Sequence, residues 1–207
     1  MRHFPHQYTQ IGEAVTFGSI PMERFQSSLL AVSLIVPLSR ETVTENALVS
    51  LMLGKSTRDY PTYRLFSRKL GLLYGAVAGT SIQKLGDEES ITFAASVIDN
   101  SLALGGENLL EESAKLLLSM IFHPLIENGA FAPETFAIQK KYLADSIRAE
   151  INEKRRYAIN QTLRLMLGDE PAGLPMYGFL EDLEKMTPPP AAAAYERILK
   201  TCRVEII

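Results

Sequence analysis

A nearly continuous apolar run near the start of the chain restricts the fold more than any other feature. Residues 25–38, FQSSLLAVSLIVPL, are rich in Val, Ile and Leu and contain no charged side chain. A run of this length and composition is typical of a strand buried in the middle of a sheet. Pro37 and Ser39 close it. The sequence therefore predicts a central strand on which the remaining elements pack.

Helical periodicity dominates the rest of the chain. Residues 41–53 place apolar side chains on one helical face, and Gly54 is positioned as the C-cap. A second helix is predicted to begin at Asp59-Tyr60-Pro61, because proline is favoured in a first helical turn. Further helices are predicted over residues 107–122, 133–167 (the longest), 180–186 and from residue 188 onward. The 107–122 helix would bury Leu110, Ala114, Leu117 and Ile121.

Two strand-like runs follow one another in the middle of the chain. Residues 76–85 and 90–98 are separated by Gly86-Asp87, which predicts a hairpin. In the second run apolar and small or polar residues alternate, so one face is expected to be buried. The last residues, 203–207, also have the pattern of a strand.

These elements predict one α+β domain, with a mixed, mostly antiparallel sheet and helices packed on it. Residues 1–22 are assigned to an N-terminal extension without regular structure, and residues 23–207 to the domain. The chain stops inside an apolar strand. We therefore expect these 207 residues to be the first half of a longer protein.

The composition excludes several classes of function. The net charge is −3 and the pI about 5.7, and no basic patch with interleaved aromatic residues occurs, so nucleic-acid binding is not expected. No apolar stretch is long enough to span a bilayer, so no membrane partner is expected. Cys202 is the only cysteine, which rules out an intrachain disulfide and a cysteine-based zinc site. We predict a cytoplasmic protein.

Several stretches, in this order, resemble a known family: ETVTENALVSLMLGKST, YPTYRLFSRKLGLLYGAVAG, FHPLIENGAFAPETFAIQKKYLADSIRAEI and GLPMYGFLEDLEKMT. They are similar to the N-terminal domain of the pitrilysin/insulinase-type metallopeptidases, which include the mitochondrial processing peptidases. The resemblance implies a LuxS/processing-peptidase-like metallohydrolase fold. QKKYLADSIRAEINEKRRYA and PMYGFLEDL further resemble a bacterial branch of non-catalytic members. That branch is named for its association with the aminopentanol modification of elongation factor P.

Active members of this family carry His-x-x-Glu-His on the first helix. Histidines four residues apart share a helix face and bind one zinc ion, and the glutamate activates water. The resemblance aligns Ala47, Ser50 and Leu51 with these three positions. None of the three side chains can replace the group it is aligned with. The third zinc ligand aligns with Glu150, which we expect to form only an i to i+4 pair with Lys154.

Other residues that could carry chemistry have structural explanations. His3 and His6 lie in the predicted extension, and His123 lies at a helix end before a proline. Cys202 is expected to be a structural cysteine in or beside the last strand. The carboxylate pairs Glu88-Glu89 and Glu111-Glu112 are expected on solvated faces, since sequence neighbours point in different directions.

The resemblance implies a role without catalysis or cofactor. In the family, homologous domains enclose a chamber for a peptide, and one half or subunit is often inactive. The sequence therefore predicts an inactive subunit that dimerises with an active homologous peptidase subunit, with a peptide captured by main-chain pairing at a sheet edge. One alternative is a stand-alone interaction protein in elongation factor P modification. Another is an active zinc metalloendopeptidase with a displaced metal site.

Overall fold

The computed structural model describes residues 7–22, 24–168 and 170–207. Its strands are β1 (Gln7–Gly12), β2 (Val15–Ser19), β3 (Ser27–Pro37), β4 (Val77–Leu85), β5 (Glu88–Ile98), β6 (Ile126–Glu127), β7 (Ala130–Phe131) and β8 (Arg203–Ile206). Its α-helices are α1 (Val43–Leu53), α2 (Tyr63–Leu72), α3 (Leu109–Phe122), α4 (Pro133–Ala149), α5 (Lys154–Leu167), α6 (Leu180–Lys185) and α7 (Pro188–Thr201).

Six strands form one sheet in the order β1-β2-β8-β3-β5-β4, and β6 and β7 form a separate ribbon. The apolar run becomes β3, which pairs with β5 along its whole length and with β8 on its other side, both antiparallel. Only the β2–β8 pair among these strands is parallel. The predicted central strand, the β4–β5 hairpin and the mixed, mostly antiparallel sheet are therefore confirmed.

The burial of β3 differs between its two halves. Leu34 and Ile35, which point to opposite faces, are both buried, as expected for a strand covered on both sides. Near the start of the strand, however, Leu29 is 67 % exposed. Burial on both faces is thus confirmed only for the second half, where β8 pairs with it.

The prediction that residues 1–22 form an extension without regular structure is wrong for residues 7–19. These residues form the β1–β2 hairpin, and Val15 of β2 pairs in register with Val204 of β8. This contact joins opposite ends of the chain, so no local pattern could reveal it. His3 and His6 lie outside the described residues.

Two helix starts and one buried stripe also differ from the predictions. The helix expected at Asp59-Tyr60-Pro61 begins at Tyr63, because the Thr62 hydroxyl accepts the N–H of Leu65 at 3.3 Å and caps it. The helix expected from residue 107 begins at Leu109. It buries Leu109, Ser113, Leu116, Leu117, Ser119, Met120 and Ile121, so the predicted Leu117 and Ile121 are confirmed, whereas Leu110 is 38 % exposed.

The predicted long helix over residues 133–167 is broken. Helix α4 ends at Ala149, residues 150–152 form a 3₁₀ turn, and Glu153 has the non-helical angles φ −87° and ψ 73°. No glycine or proline marks this break, which explains why helical periodicity missed it. The break redirects α5 away from the core and onto the turn at residues 171–173.

The remaining predicted elements are confirmed. Helix α1 ends at the Gly54 cap, and α6, α7 and β8 lie where the pattern placed them. The main core lies between the sheet and the helices α1, α3 and α7. In the described part of the chain, no helix has both the length and the apolar character needed to cross a bilayer.

Candidate functional site

The three positions aligned with the zinc motif lie on α1, inside the protein. Ala47 is 1 % and Ser50 2 % exposed, and Leu51 is partly buried against the main core. The hydroxyl of Thr80, on the neighbouring strand β4, donates to the Ser50 carbonyl at 2.7 Å. Helix α1 is packed against α4 and α7 as well as β4. These positions therefore serve the packing of the core.

The residues at these positions do not fit a zinc ion. Zinc requires imidazole, thiolate or carboxylate donors, and Ala47 and Leu51 supply only carbon. Within residues 7–22, 24–168 and 170–207, no three His, Cys, Asp or Glu side chains are grouped in a way that could hold a metal. His123 is exposed at the C-cap of α3 and is not part of such a group. A zinc ion therefore cannot be held at these positions.

Glu150 has a different partner from the predicted one. It lies in the turn between α4 and α5, and its Oε1 accepts a hydrogen bond from the side-chain amide of Asn160 on α5. Glu150 and Lys154 form no ion pair in the structure, so the predicted i to i+4 pair is wrong. The physical reason is the break at Glu153, which ends the helical spacing that would bring the two side chains together.

Glu150 lies on the wall of a cleft between β4, α5 and the loop of residues 173–178, named here the α5 cleft. The cleft has two adjoining parts of about 340 and 240 Å³, and Glu150, Arg156 and Asn160 line both. The larger part is close to the lower end of the usual volume range for ligand pockets, roughly 300–1,000 Å³. Ala47, Ser50 and Leu51 do not line it. The structure therefore brings Glu150 to the cleft and leaves the three α1 positions in the core.

Lys84 fixes one wall of the α5 cleft. Its ammonium group donates to the carbonyl of Ala172 at 2.8 Å and to that of Leu174, and so joins β4 to the 173–178 loop. Burial lowers the pKa of Lys84 from its ordinary value. No carboxylate in the described residues forms an ion pair with it. The ammonium charge of Lys84 is thus stabilised by two backbone carbonyl dipoles and is not neutralised by a carboxylate.

The other end of the same loop is attached to α1. The backbone N–H of Phe179 donates to the Thr44 hydroxyl at 3.0 Å, and Gly178, with φ +72°, lies directly against Thr44. The guanidinium group of Arg40 stacks on the Phe179 ring, with its central carbon 3.6 Å from the ring centroid. The loop is therefore held at both ends, which gives the α5 cleft a defined shape.

A buried polar network lies beneath α1. Glu89 is fully buried, and its Oε2 accepts from Asn46 Nδ2 at 2.8 Å, whereas its Oε1 has no hydrogen-bond partner among the described residues. Arg197 on α7 donates to the other atom of the Asn46 amide, Oδ1, at 3.2 Å, and pairs with Glu45. Burial raises the pKa of Glu89 to about 7, and the bond from Asn46 opposes the rise.

The structure separates the carboxylate pairs singled out in the sequence. The solvated-face prediction is wrong for Glu89 and right for Glu88, which pairs with Arg203 at the surface. It is also right for Glu111 and Glu112, which pair with Lys115 on the outside of α3. Glu89 is buried because it points from β5 toward α1.

Cys202 lies where the sequence placed it, between α7 and the last strand. It is partly buried and packs against the main core. Burial raises the pKa of its thiol, which disfavours the thiolate. The structural role is therefore confirmed.

Sequence reasoning missed Lys84, Arg156 and Asn160 as parts of one cleft. One signal was available in the sequence: Arg156, Asn160 and Arg164 recur every four residues and so share one face of the predicted helix. That this polar face lines a cleft follows only from the structure. The position of Lys84 opposite this helix follows only from the fold.

Known proteins share this fold. No protein-family model matches the chain. It is 25 % identical over 192 residues, 93 % of its length, to a protein of Bacillus subtilis described as probable inactive metalloprotease YmfF, of which it covers 45 %. A conserved protein from Enterococcus faecalis has a solved structure that superposes with a TM-score of 0.89 and 26 % identity, over 97 % of this chain and 47 % of that one. The peptidase M16 inactive domain from Pseudomonas fluorescens superposes with a TM-score of 0.71 and 13 % identity, over 98 % and 45 %.

These similarities confirm the expected peptidase-like fold, with its mostly antiparallel sheet and packed helices. The chain has the same fold as a domain described as peptidase M16 inactive domain, and the similar proteins include ones described as inactive. The chain spans about half the length of the relatives it matches.

Proposed function

We propose that this protein is a catalytically inactive peptidase-like subunit that pairs with an active homologue and helps to enclose a peptide. The observation that carries the proposal is the burial of Ala47 at a motif position on α1. An alanine packed in the core at 1 % exposure provides neither a metal ligand nor space for one. The similar proteins described as inactive support the same conclusion.

A second feature supports pairing with another domain. Helix α5 turns apolar side chains outward: Ile159 is 51 %, Leu165 87 % and Met166 74 % exposed. Apolar residues that occur together on the outside of a helix are typical of an interaction surface. The partner that we propose for this surface is a domain of the active homologous peptidase.

The edge of the sheet provides a place for the peptide. Strand β4 is the last strand of the six-stranded sheet and pairs only with β5. Its outer backbone groups have no backbone partner among the described residues. An extended peptide can add to such an edge through main-chain hydrogen bonds, without any special side chain.

Two measurements test the proposal. The first is the zinc content of the purified chain after dialysis against zinc and then against metal-free buffer. We expect less than about a tenth of an equivalent, because one carboxylate cannot hold the ion. Close to one zinc per chain would overturn the inactive assignment and favour an active metalloendopeptidase.

The second measurement is light scattering of the chain mixed with an active homologous peptidase from the same cell. We expect a complex, and we expect the double variant Leu165→Glu, Met166→Glu to abolish it. Leu104→Glu is the matched control, since Leu104 is 93 % exposed but lies on another surface. A monomer in every mixture would overturn the pairing. An unrelated enzyme as the main partner in a pull-down would favour the stand-alone role in elongation factor P modification.

A further inference from the structure

Helix α5 turns a mostly polar face toward the protein and an apolar face toward solvent. Four of the five α5 residues that line the larger part of the α5 cleft are polar, namely Arg156, Asn160, Gln161 and Arg164, whereas Ile159 and Met166 face outward. A helix that only covers a core would bury its apolar face. The arrangement indicates that the inward face of α5 is adapted to a polar ligand.

The cleft holds more positive charge than the protein neutralises. Its two parts together are lined by three cations, Lys84, Arg156 and Arg164, and by two acids, Glu150 and Glu153. Lys84 donates to backbone carbonyls, Arg164 lies 5.3 Å from the ring centroid of Phe179, and Glu150 is held by an amide. None of the three cations forms an ion pair in the described part of the chain.

Arg156 is the cation best placed to bind a ligand. It lines both parts of the cleft and is exposed, and it makes no hydrogen bond, ion pair or ring contact with the described residues. A guanidinium group offers a planar fork of donors that matches a carboxylate. Lys84 reinforces the positive potential from the opposite wall. A peptide lying along the edge of β4 would pass between them, because β4 contributes Gln83 and Lys84 to this wall.

We propose that the α5 cleft binds a peptide through a carboxylate group, with Arg156 as its direct partner and Lys84 and Arg164 contributing positive potential. The inference rests on the proposed function, to which it adds the class of peptide. The carboxylate is either an acidic side chain or the C-terminus of the peptide. These two sources have the same chemistry and are separated by experiment.

The test uses the 207-residue chain and three rhodamine-labelled ten-residue peptides of Thr and Val, followed by fluorescence anisotropy. One peptide has a central Glu and an amidated C-terminus, the second has Gln in its place, and the third has Gln and a free C-terminus. We expect at least one carboxylate peptide to bind about 10-fold more tightly than the neutral one, as a charge-assisted hydrogen bond provides. Whichever peptide gains affinity identifies the source of the carboxylate.

Variants at neighbouring positions provide the control. Arg156→Gln should remove the 10-fold preference, whereas Arg155→Gln, with the same charge change on the next residue of α5, should retain it. Arg155 is exposed and does not line the cleft. If both variants lost the preference for the carboxylate peptide equally, net charge alone would explain it, and the inference would be overturned.

The peptide data also separate this inference from the proposed function. Equal affinities for all three peptides would overturn the carboxylate preference while peptide capture remained valid. Failure of all three to bind at about 1 mM would likewise overturn the inference. Pairing with the homologue is measured independently, so its absence would contradict the proposed function without changing the peptide result.

Discussion

Asn46 on α1 donates its side-chain N–H to Glu89 on β5 at 2.8 Å, and this bond crosses the interior between helix and sheet. It satisfies one carboxyl oxygen, and the other has no partner among the described residues. The same amide connects to Arg197 on α7. Polar contacts therefore link three elements of the core, α1, β5 and α7, on the helix that carries the degenerate motif.

The first prediction concerns Glu89 and pH. Its folded-state pKa is about 7, above the ordinary value of 4.5, so the folded state keeps a proton that the unfolded state releases. The free energy of unfolding should therefore fall as pH rises from about 4.5 to about 7, by about 3 kcal/mol from this group. Glu89→Gln, which stays neutral, should flatten this part of the profile and be the more stable protein at pH 8.

Urea unfolding at several pH values measures this effect. Glu88→Gln is the control, because Glu88 is its sequence neighbour but pairs with Arg203 at the surface. A profile for Glu89→Gln that remains parallel to that of the unchanged protein between pH 4.5 and 7 would contradict the prediction.

The second prediction concerns Ala47. Ala47→His should reduce the free energy of unfolding by about 2 kcal/mol or more, since the imidazole must enter a filled core and lose its hydration. Leu51→His should have a smaller effect, because Leu51 is only partly buried. Urea unfolding measures both. Tight zinc binding by the double variant Ala47→His, Leu51→His, with Glu150 unchanged, would contradict the prediction. It would mean that a metal ion can reach positions that are buried in the structure.

The third prediction concerns Tyr195, whose hydroxyl donates to the carbonyl of Ile121 at 2.8 Å in the core. Burial raises the pKa of this phenol to about 12. Tyr195→Phe should destabilise the protein by about 1–2 kcal/mol, because the Ile121 carbonyl loses its buried donor. Tyr142→Phe, at a position 59 % exposed, should change stability by less than about 0.5 kcal/mol. Equal losses in the two variants would contradict this assignment.

The fourth prediction concerns the attachment of the 173–178 loop to α1. Gly178 has φ +72°, and an added Cβ would lie 2.2 Å from Thr44 Oγ1. Gly75 has φ +76° with open space around it, so Gly75→Ala should cost only about 1–2 kcal/mol for the left-handed backbone. Gly178→Ala should cost clearly more and weaken peptide binding in the α5 cleft. Thermal unfolding of both variants gives the comparison, and equal losses would exclude a steric role for Thr44.

Much of the fold followed from local sequence patterns. The apolar run of residues 25–38 predicted β3, Gly86-Asp87 predicted the β4–β5 hairpin, and Gly54 marked the end of α1. These features depend on periodicity and backbone conformation within a few residues. The order of several weak stretches then indicated the peptidase-like fold, which the similar structures confirm.

Less of the candidate site could be predicted. Glu150 was singled out, but its partner was misassigned because the break at Glu153 has no glycine or proline signal. The roles of Lys84 and Arg156 required knowledge that β4 and α5 face each other across more than 60 residues of sequence. The pair Glu88-Glu89 predicts two solvated carboxylates, because nothing in the local pattern shows which of the two directions leads into the core; the structure buries Glu89 beneath Asn46.

The sequence by itself determined most of the strands and helices between residues 25 and 207, and it determined that no zinc ligand stands at Ala47 or Leu51. Both are properties of residue type and local spacing. Only the tertiary structure decided that the first strands join the last one, that Glu89 is buried beneath Asn46, and that α5 faces a cleft with unneutralised cations. These outcomes depend on contacts between distant parts of the chain, where burial and the geometry of approach determine what each side chain does.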